Sequence, residues 1–153
     1  MRNSLGQERY FHDRLHRQHQ GRGQLLVAWL EGVPVGDVYL WLKPAVEPEV
    51  RELLPGVPTI QHLEVREDLR NHRIGTALIR AAEQVLRNRG HDRVALGVAL
   101  ENHGALRLYL RNGYREWRHS PITTTYEEFL PHGRVLRHPD VCRILIKDIG
   151  NLK

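Results

Sequence analysis

The sequence contains a single cysteine, Cys142, which excludes an internal disulfide framework. Because this residue lies in the largely apolar segment 141–146, a buried structural thiol is favoured over a nucleophile. The sequence also lacks the run of roughly twenty apolar residues that a membrane-spanning helix needs. Its first residues have no apolar core of the kind that a secretory signal carries, so we expect a cytoplasmic protein that is not embedded in a membrane.

Aromatic residues are few, at 7% of the sequence, although the protein is basic, with a formal net charge of +5 and ten histidines besides. Such a charge attracts polyanions. The basic residues are spread along the whole sequence, however, and the three tryptophans are not interleaved with them as a base-stacking surface requires. A nucleic acid is therefore not the expected partner, and a phosphorylated small molecule suits the local basic cluster described below better.

The length of 153 residues and the hydrophobic fraction of 41% fit one domain with one core, which we assign to residues 1–153. We expect a monomer or a small oligomer such as a homodimer. An amphipathic helix is predicted over residues 5–19, with three histidines at approximately helical spacing: His12, His16 and His19. Because a metal site needs oriented, desolvated ligands, which nothing in this charged segment indicates, we predict a solvated face and no metal.

Hydrophobic periodicity and turn residues divide the remaining sequence into strands and helices. The first half is predicted to contain an antiparallel hairpin of residues 25–31 and 35–42, followed by a proline-rich loop or short-helix crossover over 43–58. A strand over 59–65, a helix over 74–88, a strand over 93–99 and a helix over 102–110 come next. The last part is predicted to contain a strand from 113, a polar, turn-rich segment over 121–139 with residues 123–126 extended, and a final strand over 141–149. Strand, helix and strand in succession imply a right-handed parallel crossover.

The stretch from residue 60 to residue 78 is an apolar strand that passes through a polar, basic loop into a helix. Because the helix begins inside the loop, its first amide groups, which have no intrahelical acceptor, and its dipole favour a bound anion. Arg70, His72 and Arg73 supply positive charge, and Gly75 allows close approach to the backbone. We predict an anion cradle here. The alternative is a solvated loop that binds nothing.

Two segments together resemble the motifs of the GNAT superfamily of acyl-CoA-dependent N-acyltransferases. The first runs from Val65 to Gly75 and resembles an apolar strand followed, about five residues on, by Arg or Gln, two residues, Gly, one residue and Gly or Ala. The second runs from Asn102 to Tyr114 and resembles Asn, two residues, Ala, two residues, Leu-Tyr, three residues, Gly and an aromatic. Arg73 occupies the place of the first Gly, so that position needs a conformation open to a residue with a Cβ.

The resemblance covers roughly residues 25–117 and implies an α/β (α+β) fold with a mixed, splayed β-sheet flanked by helices. It implies acetyl-CoA as co-substrate, with the pantetheine arm pairing with the backbone around Leu63 and Val65. The side chain of Asn102 would contact the cofactor, the alternative being an ordinary helix N-cap. The remaining contacts that the resemblance implies are the pyrophosphate on Arg70, Asn71, His72, Arg73, Ile74, Gly75 and Thr76, and the ribose phosphate near Arg107 and Arg111.

The reaction that the resemblance implies is direct attack of a neutral amine on the thioester in a ternary complex. It needs a proton acceptor and a donor for the departing thiolate. Tyr109 resembles the family residue that donates to the thiolate, the alternative being a core tyrosine. Glu64 and His62 alternate to one face of the strand, so either is a candidate base, and Glu31 is a third. We choose Glu64 first, because it lies between the two residues expected to pair with pantetheine.

The acceptor is open to several hypotheses. Our first choice is a small primary amine such as an amino sugar, a polyamine or an antibiotic, because segments 43–58 and 121–139 could close over a site lined by Trp29, Trp41 or Tyr126. A protein N-terminus or lysine would need an exposed groove instead. A non-catalytic acyl-CoA sensor would bind the cofactor without turnover, and acylation of an aminoacyl-tRNA would require salt-sensitive RNA binding.

Overall fold

The computed structural model describes residues 21–70 and 73–150, so the helix predicted over 5–19 and the two cradle residues Asn71 and His72 lie outside the described residues. Within these ranges no helix is long and apolar enough to cross a bilayer. The elements are β1 (Gly23–Leu30), β2 (Val33–Trp41), α1 (Pro48–Leu53), β3 (Thr59–Val65), a short 3-10 helix (Glu67–Leu69), α2 (Ile74–Asn88), β4 (Arg93–Ala99), α3 (His103–Arg111), β5 (Arg115–Glu116), β6 (Ile122–Phe129) and β7 (Val135–Asp148).

The strands form one sheet in the order β1-β2-β3-β4-β7-β5, and β6 pairs with β7. Each pairing is antiparallel except that of β3 with β4. Helix α2 connects these two parallel strands, because parallel neighbours need a crossover. The predicted mixed sheet with flanking helices is therefore confirmed, and β3, α2 and β4 have the bounds that the sequence predicted.

The hairpin of β1 and β2 turns at Glu31 and Gly32, whose φ angles of 51° and 79° are both positive. A two-residue turn with this left-handed backbone matches the twist of the strands that it joins. Leu30 pairs with Val33 directly across the turn. The predicted hairpin is confirmed, and its geometry holds Glu31 at an exposed tip.

The sheet has an apolar core on each face, because successive side chains of a strand point to opposite sides. Helices α2 and α3 cover the first core, which contains Val38, Leu40, Ile60, Leu78, Ile79, Ala82, Leu86, Val94, Leu96, Val98, Tyr109, Tyr114, Leu145 and Ile149. Helix α1 covers the second, which contains Ala45, Val50, Leu54, Val57, Ala95, Trp117, Ile122, Ile144 and Ile146. The apolar positions of α2 recur at helical spacing, as predicted.

Strands β3 and β4 pair only at their first halves, through Thr59 with Ala95 and Ile60 with Leu96. No further pair joins the two strands within the described ranges. The remaining edge of β3, residues 61–65, therefore faces β4 without a ladder. Helices α2 and α3 follow the diverging ends of β3 and β4, so the splay opens a space that these two helices border.

Residues 122–129 and 135–139 form strands, so the prediction of a turn-rich segment over 121–139 is wrong except for residues 130–134. The pairing runs from Ile122 with Cys142 to Phe129 with Val135. The predicted extension of residues 123–126 is confirmed, because threonine favours the pleated conformation. Many residues of this ribbon are exposed and polar, which hides the apolar pattern of a strand. Cys142 is a buried free thiol, as predicted.

Candidate active site

A cleft with a volume of about 990 Å³ opens beside the end of β3, at the start of α2 and along α3. The two segments that carry the sequence motifs form its walls, although they are about thirty residues apart in sequence. Of the residues predicted for the site, the following line the cleft: Leu63, Glu64, Val65, Arg70, Arg73, Gly75, Thr76, Asn102 and Tyr109. The structure thus brings residues of both motif segments to one cleft.

The start of α2 leaves amide donors free for a ligand. The N–H of Ala77 donates to the carbonyl of Arg73 at 3.0 Å, which is the first turn of the helix. The N–H groups of the three residues before it have no acceptor within the helix. Arg73 precedes the helix with φ 62° and ψ 13°, a left-handed conformation, and its side chain does not cap the helix. The N-terminus of α2 thus directs amides without intrahelical acceptors, and the positive end of the helix dipole, toward the cleft, an arrangement that favours a bound anion.

Gly75 has a packing role that the sequence did not show. A Cβ at this position would lie 3.1 Å from Cδ2 of Leu108 on α3. The missing side chain therefore allows α3 to approach the first turn of α2. Ile74 is half-buried against the α2-side core rather than in the cleft. Of these two predicted residues, only Gly75 contributes to the cleft wall.

Four arginines give the cleft a positive wall: Arg70, Arg73, Arg80 and Arg111. The Nε of Arg70 donates to the carbonyl oxygen of Val65 at 3.3 Å, which holds that guanidinium at the end of β3. Such a concentration of like charge, beside a helix N-terminus, is suited to a ligand that carries phosphate groups.

Asn102 caps α3, because its Oδ1 accepts a hydrogen bond from the N–H of Ala105 at 3.1 Å. The N-cap role predicted as one alternative is therefore observed. The same residue lines the cleft, which keeps it within reach of a ligand there. The two roles are compatible, since the amide group of Asn102 carries donors as well as the acceptor that caps the helix.

The main-chain N–H and C=O groups of successive β3 residues point alternately toward β2 and toward the opposite edge of the strand, where β4 lies. The N–H of Arg66, just after the strand, donates to the carbonyl of Val35 at 2.8 Å. Since hydrogen-bonding direction alternates along an antiparallel strand, Glu64 also turns its main-chain groups toward β2. Leu63 and Val65 therefore turn theirs toward the unpaired edge. An extended ligand can form strand-like hydrogen bonds with these two residues.

Tyr109 lies on α3 with 5% of its surface exposed, and it lines the cleft. Its ring packs edge-on against the ring of Tyr114, with 5.4 Å between the centroids. Burial raises the pKa of the Tyr109 hydroxyl well above its ordinary value. The hydroxyl therefore keeps its proton at neutral pH and can act as a donor.

On the face of β3 that points away from α2, His62 lies between two carboxylates. Its Nε2 is 3.3 Å from Oδ1 of Asp37 and 3.3 Å from Oε2 of Glu64. Asp37 is directly opposite Glu64 in the register of β2 with β3. The Asp37 residue is 0% exposed, whereas the side chain of Glu64 is 46% exposed. Glu64 is the member of this acidic cluster (Asp37, His62, Glu64) that lines the cleft.

The two carboxylates of the acidic cluster have pKa values shifted in opposite directions. Burial raises the pKa of Asp37 to about 6, an effect that the neighbouring His62 partly opposes. Contact with His62 is the largest cause that holds the pKa of Glu64 below its ordinary value. Paired acids with opposed shifts are typical of sites where protons are exchanged. The ligand atoms of the three residues also lie within 4.8 Å of one another, close enough to hold a metal ion together.

Some predicted residues are not brought to the cleft. Glu31 lies at the exposed hairpin tip, and Arg107 is exposed on α3 without lining the cleft. Trp29 is 65% exposed on β1, and buried Trp41 donates its indole N–H to the carbonyl of Pro44 at 3.0 Å. Neither the proline-rich crossover nor residues 121–139 contribute to this cleft. This cleft is therefore not lined by Trp29 or Trp41.

Comparison with known proteins places this arrangement in a family. A profile of the acetyltransferase (GNAT) family matches residues 2–114. The chain belongs to the GNAT family. An uncharacterized N-acetyltransferase of Methanocaldococcus jannaschii is 34% identical over 110 residues, which are 70% of this chain and 44% of that protein. The chain thus spans less than half the length of this curated relative.

Solved structures share the fold of this GNAT chain. PaiA N-acetyltransferase of Thermoplasma acidophilum, in complex with coenzyme A, superposes with a TM-score of 0.63 at 14% identity, covering 89% of this chain and 67% of that one. Ribosomal-protein-alanine N-acetyltransferase of Brucella melitensis gives a TM-score of 0.61 at 20% identity, covering 92% of this chain and 77% of the other. At these identities the likeness shows the fold alone.

Two residues of the GNAT cleft and its surroundings were missed in the sequence. Arg80 lies one turn after Ala77 and two turns after Arg73, so helical spacing from Arg73 could have found it. Asp37 is a lone charge within the otherwise apolar β2. A charge in such a strand indicates either an edge or a buried functional group, and only the register with β3 shows which.

Proposed function

We propose that this protein transfers an acetyl group from acetyl-CoA to a primary amine by direct attack in a ternary complex. The observation that carries the proposal is the cleft, where a free helix N-terminus, an open strand edge and a buried tyrosine meet. We further propose that the acceptor is a small, positively charged amine such as an amino sugar, a polyamine or an antibiotic.

The groups at the start of α2 fit the pyrophosphate of coenzyme A, because free amides and arginines together neutralise phosphate charge. The outward-turned main chain of Leu63 and Val65 fits the amide groups of the pantetheine arm. When bound, acetyl-CoA supplies a thioester carbonyl. We propose that it is held by Leu63, Val65, Arg70, Asn71, His72, Arg73, Ile74, Gly75, Thr76 and Asn102.

Tyr109 is proposed as the donor that protonates the departing thiolate. Its burial keeps the hydroxyl protonated, and the residue lies in the wall of the cleft. The edge-on contact with Tyr114 fixes the ring, so little conformational freedom remains to be lost when the donor acts. We propose that this protonated hydroxyl donates its hydrogen to the departing thiolate sulfur.

Glu64 is proposed as the proton acceptor for the incoming ammonium, directly or through a water molecule. It is the one residue of the acidic cluster that both carries a carboxylate and lines the cleft. His62, the other candidate base, turns Nε2 toward the two carboxylates. This contact holds the pKa of Glu64 low, so the carboxylate is ionised at neutral pH, which is the form that we propose accepts a proton.

The acidic cluster also motivates a cationic acceptor. Glu64 places a carboxylate in the wall of the arginine-rich cleft, with buried Asp37 paired to it on β2, so positive and negative groups lie at different parts of one site. The positive side suits the phosphates of coenzyme A, and the negative side attracts an ammonium group before it loses its proton. An uncharged or acidic acceptor would gain nothing from this arrangement.

The experiment is a panel of primary amines and N-terminal peptides incubated with acetyl-CoA, with release of the free thiol of coenzyme A as the measurement. We expect turnover with small cationic amines. Tyr109→Phe lowers kcat about 10²-fold, and Glu64→Gln lowers kcat by roughly 10²–10⁴-fold at pH 7.5. Neither change alters the dissociation constant of coenzyme A by more than a few fold.

Glu128→Gln is the matched control, because Glu128 also lies beside a histidine, 3.0 Å from Nε2 of His138, but on β6 and outside the cleft. It should leave kcat unchanged. Absence of measurable affinity for coenzyme A overturns the proposal. Tight binding without turnover on any amine, with no effect of Tyr109→Phe, identifies a sensor instead, and turnover on peptides alone overturns the small acceptor.

A further inference from the structure

The acidic cluster is positioned by the sheet itself. Asp37 and Glu64 are paired in the register of β2 with β3, and His62 lies two residues before Glu64 on the same face. One atom from each residue, a carboxylate oxygen or an imidazole nitrogen, lies within 4.8 Å of the other two. Because two neighbouring strands fix the three Cα atoms, little freedom remains in the cluster beyond side-chain rotation.

Asp37 gives an independent indication that a positively charged ligand belongs here. Its side chain is 1% exposed, and neither carboxylate oxygen has a hydrogen-bond partner in residues 21–70 and 73–150. The contact with Nε2 of His62 at 3.3 Å does not meet the geometry of a hydrogen bond. A buried carboxylate without donors is costly, so such groups are normally paired, hydrogen-bonded or bound to a metal. One of these oxygens, Oδ1, lies 3.3 Å from the imidazole nitrogen that Glu64 also contacts.

Two of the three distances within the acidic cluster match the ligand spacing around a small divalent ion. Zinc binds imidazole nitrogen and carboxylate oxygen at about 2.0–2.2 Å in tetrahedral sites, which separates neighbouring ligand atoms by roughly 3.3–3.6 Å. The Nε2 of His62 is 3.3 Å from Oδ1 of Asp37 and 3.3 Å from Oε2 of Glu64. Both separations therefore equal an edge of such a tetrahedron. An imidazole with two carboxylates selects zinc and similar transition metals over magnesium or calcium, which prefer oxygen alone.

We propose that Asp37, His62 and Glu64 form a binding site for Zn²⁺, with one ligand position left open to water. The two carboxylates balance the charge of the ion, and the neutral imidazole supplies the third ligand. Zinc bound in this site coordinates a carboxylate oxygen of Glu64, which can then no longer accept a proton. In the part of this inference that rests on the proposed function, bound zinc therefore inhibits acetyl transfer by removing the proton acceptor.

The binding test uses the purified full chain, stripped with a chelator, and Zn²⁺ alone at pH 7.5. Calorimetry and equilibrium dialysis measure affinity and stoichiometry, and Co²⁺ replaces zinc to report tetrahedral geometry through its visible absorption. We expect one tight ion per chain. Asp37→Asn, His62→Gln and Glu64→Gln each weaken binding by at least about tenfold, as loss of metal-site residues does.

His138→Gln is the matched control, since His138 and Glu128 form a pair at 3.0 Å on β6 and β7 that is not part of a three-ligand cluster among residues 21–70 and 73–150. It should retain the affinity of the parent. Because the sequence has ten histidines, binding that survives in both His62→Gln and Glu64→Gln overturns the proposal by showing that zinc sits elsewhere. Circular dichroism excludes misfolding of Asp37→Asn, and partly exposed Glu64 provides a second variant that tolerates substitution.

The inhibition test separates this inference from the proposed function. If zinc binds as described but no amine is acetylated, the site stands and the proposed function fails. If amines are acetylated but zinc neither binds at the cluster nor inhibits, the site fails and the proposed function stands. Where both hold, a chelator reverses the inhibition. When the rate of each protein is normalised to its own zinc-free rate, the half-inhibiting zinc concentration of Asp37→Asn is at least about tenfold higher than that of the parent.

Discussion

Gly75 and Leu108 are so close that a Cβ on residue 75 would lie 3.1 Å from Cδ2 of Leu108. The contact joins the first turn of α2 to the middle of α3, the two helices that border the cleft. A glycine inside a helix normally lowers its stability relative to alanine by roughly 0.5–1 kcal/mol. Here the glycine has a compensating function, because it sets the separation of the two helices.

Replacing Gly75 by valine therefore lowers the free energy of unfolding by roughly 1–3 kcal/mol, the usual cost of overpacking. Chemical denaturation measures the change. Leu108→Ala in the same chain restores part of the loss, which appears as a favourable coupling in the double-mutant cycle. Gly104→Ala on α3, whose added Cβ would meet nothing within 4 Å, is the control and should not destabilise. If the changes in unfolding free energy caused by Gly75→Val and Leu108→Ala simply add in the double variant, the proposed contact is contradicted.

Arg73 precedes α2 with φ 62°, where side chains with a Cβ are strained. Arg73→Gly removes this strain and should raise the free energy of unfolding by about 1 kcal/mol, measured by urea denaturation. Ala81→Gly, at an exposed position inside the same helix, should lower it by about 1 kcal/mol, because glycine there only adds backbone freedom. Equal effects of the two changes would show that Arg73 is not strained.

The buried carboxylate of Glu83 has two partners, the hydroxyl of Tyr114 at 2.9 Å and Nζ of Lys147 at 3.0 Å from both oxygens. Lys147→Met leaves a largely uncompensated charge in the α2-side core, so we expect a loss of about 3–5 kcal/mol in unfolding free energy. Arg143→Met, which breaks the partly exposed pair with Glu116, should cost no more than about 1 kcal/mol. Thermal and chemical denaturation measure the unfolding free energy of both variants. If Lys147→Met and Arg143→Met lower it by similar amounts, the buried carboxylate of Glu83 does not depend on Lys147.

The parts of the fold that could be predicted are those in which burial leaves a period in the sequence. Ile79, Ala82 and Leu86 recur at helical spacing on α2, and β4 is apolar on both faces because both faces are covered. The ribbon of β6 and β7 was partly missed because few residues of 122–129 and 135–141 are buried, so no apolar period marks this part of it. Prediction of secondary structure from the local sequence therefore fails where an element buries few side chains.

The site was predicted unevenly for a related reason. Tyr109 and Glu64 lie in or beside motifs with fixed spacing, whereas Asp37 reaches His62 only through the pairing of β2 with β3. Pairing of separate strands is a tertiary property and leaves no local signal. The role of Gly75 in helix packing was missed for the same reason, since Leu108 lies on another helix.

The pH dependence of stability should show the buried charge of Asp37. Its pKa is raised from 3.8 to about 6 by burial, with His62 lowering it and Glu64 raising it as the facing charges. Because the pKa is higher in the folded state than in the unfolded state, folding favours the protonated carboxyl group. The contribution of Asp37 to the free energy of unfolding is therefore fully present below pH 3.8 and is lost as the pH rises through 6. A shift of about two units corresponds to about 3 kcal/mol.

Asp37→Asn does not titrate, so the unfolding free energy of the variant minus that of the parent should increase by up to about 3 kcal/mol between pH 4 and pH 7. Urea denaturation in the presence of a chelator measures this difference, since a bound metal would compensate the charge. Asp148→Asn, at an exposed position beside Arg115, should give a difference that is nearly independent of pH. If the Asp37→Asn difference is also flat, then the folded protein does not resist ionisation of Asp37, and the buried carboxylate must have a donor that satisfies it.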